Sequence, residues 1–223
     1  MRVYLDNCCF NRPFDDQRQT RVRLEAEAKL CIQEHIRERT LELAWSYILD
    51  FENTANPFEE RRTTISRWRQ YATIDIEETA TILQKANALV KLGLKKDALH
   101  IACAIAGECT YFLTTDDDIL RRGKDVRGIT VLSDRFCPGD EPMSPDTELR
   151  IRGLRALVEA LGPVEAERFI TLMLREPFDY TSWRRQLWVE KSVDELSKAA
   201  MEWRRATPNP YEAPGCQETK DPP

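Results

Sequence analysis

Acidic residues set against short apolar runs constrain this chain more than any other feature. Asp6 ends RVYLD, Glu52 lies in WSYILDFE, Asp97 opens DALHIACAIA, and Asp116 follows TYFLTT. RVYLD and TYFLTT are continuous apolar runs of the kind that form parallel strands buried on both faces. Residues just past the carboxyl ends of such strands point into the crevice where α/β sheets bind ligands. Glu52 and Asp97 fall on helical patterns that lean over the same edge. Carboxylates gathered there without basic partners repel one another, and a divalent cation is the usual remedy. Hard oxygen ligands of this kind suit Mg²⁺ or Mn²⁺.

The first 137 residues alternate strand-like and helix-like stretches, which predicts a parallel sheet with helices on both faces. Strands are expected at RVYLD, LELAWS, YATIDI, TYFLTT and GITVLS. Helices are expected over 19–39, in YILDFENTA, from Pro57, over 77–92 and over 96–106, with Gly93 and Gly107 as stops. CPGDEPMSPD then packs three prolines and a glycine into ten residues, so residues 138–145 read as a linker.

Beyond the linker only helical patterns remain. Leu149, Leu154, Leu157, Val158 and Leu161 lie near helical spacing, and Gly162-Pro163 ends one helix and starts the next. PFDYTSW is an aromatic-rich connection, and Ser192 with Glu195 forms a capping box for a last helix over 193–205. Residues 146–206 therefore read as a small all-α domain, and 207–223 as a Pro-rich disordered tail.

The opening YLDNCCFN, the Glu52 helix, DALHIACAI and FLTTDDDIL together resemble PIN-domain ribonucleases, in order and spacing. The resemblance covers residues 1–137 and implies a PIN-like sheet. Its activity would be that of a Mg²⁺- or Mn²⁺-dependent endoribonuclease, often the toxin of a toxin–antitoxin system. It implies Asp6 as a bridging ligand, Asp97 and Asp116 sharing one ion, Asp118 as a substitute for Asp116, and Glu52 orienting a water. Where the family often carries Thr or Ser after the first aspartate, this chain has Asn7 and Cys8. TELRIRGLRALVEALGPVEAERFITLMLREPFDYTSWRRQLW resembles a small helical antitoxin-like partner, which would make the chain a fusion acting in cis or in trans, with a homodimer also allowed. The other class of reading is a catalytically silent PIN-like module that binds a partner protein.

Charge narrows the partners. Residues 1–142 carry 21 Lys and Arg against 24 Asp and Glu, and the whole chain has a net charge of −5. Neither half of the chain is a polycation, which disfavours long nonspecific DNA binding, while a small cleft for RNA remains allowed. Apolar stretches fall short of the roughly 20 residues a bilayer needs, and no signal-peptide pattern opens the chain, so a soluble cytoplasmic protein is expected. Seven cysteines without a CxxC pair read as reduced, mostly buried residues.

Several side chains compete for roles. Asp116 also suits an N-cap for DDDILRR, Asp117 faces solvent, and His100 reads as a buried, hydrogen-bonded histidine. Asp50 and Glu59 compete with Glu52. Arg12 is a candidate phosphate contact or a turn residue, and Arg61, Arg62, Arg67, Arg69, Arg121 and Arg122 are candidates for a substrate path or a solvated face. Phe178, Tyr180, Trp183 and Trp188, beside Arg184 and Arg185, are aromatic anchors for an interface or a core.

Overall fold

The computed structural model describes residues 1–133, 146–175 and 178–207, with the backbone alone for 146–148 and 173–175. Five strands form one sheet in which every pairing is parallel: β1 (Arg2–Leu5), β2 (Glu42–Ser46), β3 (Ala72–Ile76), β4 (Tyr111–Thr114) and β5 (Thr130–Ser133). Their order is β3-β2-β1-β4-β5, so β1 is central and the chain leaves it in both directions. That reversal creates a crevice at the carboxyl ends of β1 and β4. The register Leu5↔Leu113 brings Asp6 level with the end of β4, and the Asp6 amide donates to Leu113 O at 2.9 Å.

Alternate residues of each strand face opposite sides, and both sides are covered. Tyr4, Ala44 and Phe112 pack under α3 (Tyr47–Thr54), α5 (Ala80–Val90) and α6 (Asp97–Ala106). Val3, Leu5, Leu43, Trp45 and Leu113 pack on the other face with α1 (Asn7–Asn11), α2 (Thr20–Arg37) and α4 (Glu59–Ser66). β1, β2 and β4 are short, largely apolar runs because the middle of a doubly covered parallel sheet has no wet face, whereas the edge strand β3 alternates, with Thr73 and Asp75 exposed. The α/β sheet with flanking helices is as the sequence predicts.

Local departures are small. α4 starts at Glu59, with Phe58 as cap, two residues after Pro57. α5 starts at Ala80, where the Thr79 hydroxyl accepts from the Ile82 amide; an oxygen cap outranks the acidic residues before it. Cys8, Cys9, Cys103 and Cys109 are free and buried. The expected linker at 138–145 and the tail from 208 onward lie outside the described residues.

The later helices do not behave alike. α8 (Asp146–Leu161) and α9 (Pro163–Arg175) form a hairpin. α10 (Tyr180–Arg184) and α11 (Val193–Ala206) join the body instead. Val193, Leu196, Ala200 and Met201 belong to the core under α3 and α5, and Tyr180 to the opposite one. Full burial of side chains such as Leu196 contributes about 1.5–3 kcal/mol each. Among the described residues, no helix is long and apolar enough to cross a membrane.

Candidate metal centre closed by an arginine

Asp6 leaves β1 and caps α1, its Oδ1 accepting from the Asn7 amide at 2.7 Å. Its Oδ2 accepts from Thr114 Oγ1 at 2.9 Å and from Cys8 Sγ at 3.1 Å. Glu52 reaches the same place from α3, and His100 from α6. His100 Nε2 lies 2.9 Å from Glu52 Oε2, and with that nitrogen donating, Nδ1 is left to accept from the Tyr4 hydroxyl at 2.9 Å. Tyr4 OH in turn bonds Ser46 Oγ at 2.6 Å. Ligand atoms of Asp6, Glu52 and His100 all lie within 4.8 Å of one another, and all three residues are buried.

The centre of this cluster is taken by Arg184, delivered by α10 from the C-terminal half. Its Nη1 donates to Asp6 Oδ2 at 2.8 Å, and its Nη2 to Asp97 Oδ1 at 2.9 Å and Glu52 Oε2 at 3.1 Å. Nε sits 2.7 Å from Glu52 Oε1. Arg184 is 1% exposed, one of the largest fully buried side chains. Three carboxylates from three elements thus converge on one guanidinium, whose planar fork suits such bidentate contacts.

The segment around Arg184, residues 178–188, is fastened along its length. The Tyr180 amide donates to Asp15 Oδ1 at 2.9 Å, and Asn7 Nδ2 donates to the Tyr180 hydroxyl at 3.0 Å. Lys96 Nζ donates to the carbonyls of Arg184 and Leu187. Trp188 stacks on Phe51 with centroids 5.1 Å apart. Arg185 Nη2 donates to Asp116 Oδ1 at 3.1 Å. We call this segment the strap.

Charge balance shapes the acids. Burial pushes Glu52 up, yet the Arg184 guanidinium and the His100 hydrogen bond outweigh it and hold Glu52 well below the usual carboxylate range. Burial pushes Asp97 up to about 6, which Arg184 opposes and the charges on Asp6 and Glu52 reinforce. One guanidinium cannot fully neutralise three carboxylates, and Asp97 carries the surplus. Burial works against the Arg184 charge too, but Asp6, Glu52 and Asp97 raise its pKa.

Of the predicted residues, Asp6, Glu52 and Asp97 meet at one point. Asp116 is buried and joined to Asp6 through Thr114, whose Oγ1 accepts from the Asp116 amide at 3.1 Å. It also caps α7 (Asp117–Arg122), accepting from the Asp118 amide at 2.9 Å. Asp118 is half exposed and paired with Arg121, so it is not brought into the cluster. Asp50 is tied to Arg69 and Arg204. Arg12 is buried against Asp15 and Glu25, which gives it a structural role in place of a phosphate contact. Arg61 sits over the Phe58 ring at 4.0 Å, Arg62 donates to Asn56 O, and Arg69 pairs with Asp75. Those arginines are committed within the fold.

Sequence reasoning missed Arg184 as a member of the cluster. The aromatic residues around it were the only signal, and they mark burial without saying against what. No protein-family model matches the chain, nor does any curated protein or solved structure.

The donor set fits a hard divalent cation. Carboxylates of Asp6, Glu52 and Asp97 surround the Arg184 guanidinium, with the Lys96 charge also acting on them, and Asn7 Oδ1, next in sequence to Asp6, is a buried oxygen without a hydrogen-bond partner among the described residues. Both His100 nitrogens are engaged, with Glu52 and with Tyr4, so His100 orients Glu52 beside such an ion.

Proposed function

We propose that the protein is a metal-dependent endoribonuclease of PIN type whose own strap holds it shut. The observation that carries this reading is the buried Arg184 at the focus of Asp6, Glu52 and Asp97. A cluster of acids at the switch point of a parallel sheet is costly unless a cation is held there. Arg184 supplies such a charge from a segment that contributes no strand to the sheet. A divalent ion bound by Asp6, Asp97 and Glu52 would stabilise charge on a scissile phosphate and acidify a bound water. In that state Glu52, oriented by His100 and Tyr4, is the group placed to hold the attacking water, and Asp116 borders the approach. With Arg184 in place neither the ion nor the phosphate has room. In the fusion reading residues 146–206 are the antitoxin-like part acting in cis, with the strap and α11 as the portion seated on the body, and RNA is the substrate.

The same buried arginine favours a second reading, in which the acids are retired and the ion pairs serve stability alone. Cleavage of total RNA by Arg184→Ala with Mn²⁺, Mg²⁺ or EDTA separates the two. We expect cleavage at least about 100-fold above the full native chain, lost with EDTA and lost in Asp6→Asn/Arg184→Ala. Expression in cells should follow the same order of harm. A folded Arg184→Ala protein that binds neither metal nor RNA leaves the silent module as the answer.

A further inference from the structure

The hairpin of α8 and α9 leaves unusually much apolar surface uncovered. Leu149 is 58% exposed, Ile151 55%, Leu154 47%, Val158 36% and Leu161 46%; on α9, Val164 is 74%, Phe169 42%, Ile170 36% and Leu172 49%. Leu149 and Val164 lie on other sides of their helices, since two residues turn a helix by about 200°; the other seven amount to about three fully exposed side chains. That is on the order of 500 Å² of apolar surface, in keeping with the apolar part of one partner's share of a standard interface. Residues 134–145 and 208–223 offer only Phe136, Met143 and Tyr211 as large apolar or aromatic residues, too few to cover it.

From this surface we infer that the α8–α9 hairpin is a self-association face, and that its occupant is the same hairpin of a second copy of this chain. Ile151, Leu154, Val158 and Leu161 fall at 3-4-3 spacing, the seam that selects another helix. Two helices alone cannot bury both stripes, whereas two hairpins make a four-helix bundle. The charges beside the stripes are complementary between the helices. Arg150 and Arg155 border the stripe of α8, while Glu165 and Glu167 border that of α9. Arg150, Arg155 and Glu167 make no ion pair among the described residues, and Glu165 only a loose one of 3.6 Å with Arg168. Setting α8 of one copy on α9 of the other brings basic edge to acidic edge twice, as a two-fold axis requires. Pairing α8 with α8 would instead bring arginine to arginine.

The test is the mass of the full chain by light scattering after gel filtration, from about 1 to 200 µM. A dimer is expected, and Leu154→Arg/Val158→Arg should be monomeric, with a thermal melt unchanged at concentrations where the native chain is also monomeric, both positions being exposed. Arg155→Glu alone and Glu167→Arg alone should each weaken the dimer at least about tenfold, and mixing the two chains should restore it. A monomer at every concentration overturns the proposal, as does a dimer that survives the double arginine variant. Failure of the mixed chains to recover overturns the α8-on-α9 pairing. Flotation of the full chain with phosphatidylglycerol vesicles, abolished by the same double variant, would assign the stripe to a lipid surface instead.

Discussion

Residues 146–175 and 178–206 both read in sequence as amphipathic helices, yet the fold uses them in opposite ways. α8 and α9 keep nine large apolar side chains on the surface, while α10 and α11 bury Tyr180, Arg184, Val193, Leu196 and Ala200 in the body. Amphipathicity reports that a helix has a face to bury, and nothing about where. The difference lies in what the α/β body presents. Beside α3 and α5 it offers an apolar groove, and at the strand edge a set of acids that requires a cation.

The sharpest way to break this contrast is at Arg184. Removing one partner of a buried ion-pair cluster costs about 3–5 kcal/mol, because uncompensated charge is left behind. Arg184→Ala should therefore lower stability by that order in chemical denaturation without metal, and recover part of it when Mn²⁺ is added. Recovery is specific to a cation-binding edge; a purely structural ion pair would show none.

Leu196→Ala and Leu154→Ala form the next test, identical in chemistry and opposite in placement. Leu196 is 2% exposed and Leu154 47%. The first should cost about 2–5 kcal/mol in urea unfolding. At concentrations low enough to keep the chain monomeric, the second should change stability by less than about 0.5 kcal/mol. Equal losses would mean that α8 is packed in the monomer.

Asp15 sharpens the fastening of the strap. Burial pushes its carboxyl up to about 7, against the pull of the Tyr180 amide and Arg12. A carboxyl raised in the folded state stabilises most below its unfolded pKa, and that contribution is lost as pH rises through the folded value. Stability should fall between about pH 4 and pH 7 by an amount that Asp15→Asn removes, with an upper bound of roughly 4 kcal/mol. Thermal melts of both proteins from pH 5 to pH 8 read the slope. A parallel pair of curves would show that Asp15 does not titrate there.

Much of the sheet and part of the site were legible because they are local. RVYLD and TYFLTT declare buried parallel strands by composition, and Asp6 and Asp116 inherit their position from the strand ends. Ser192 and Glu195 form the capping box that their spacing predicts. Arg184 was not legible, since its partners lie 178, 132 and 87 residues away and no periodicity encodes such a meeting. Asp118 stands two residues from Asp116, and only the turn of α7 decides that its side chain meets Arg121 at the surface. Arg12 and Arg61 looked available for phosphate until burial paired them with acids and rings.

The order of the chain adds a consequence in time. The last strand of the sheet ends at Ser133, whereas the arginine that fills the acidic edge comes at position 184. A ribosome adding about 5–20 residues per second takes roughly 3–10 s to cross that gap. During each round of synthesis the sheet and its acids can therefore exist before their counter-charge has been made. Any such open interval would be shortened by fast translation of residues 134–184 and lengthened by a pause there.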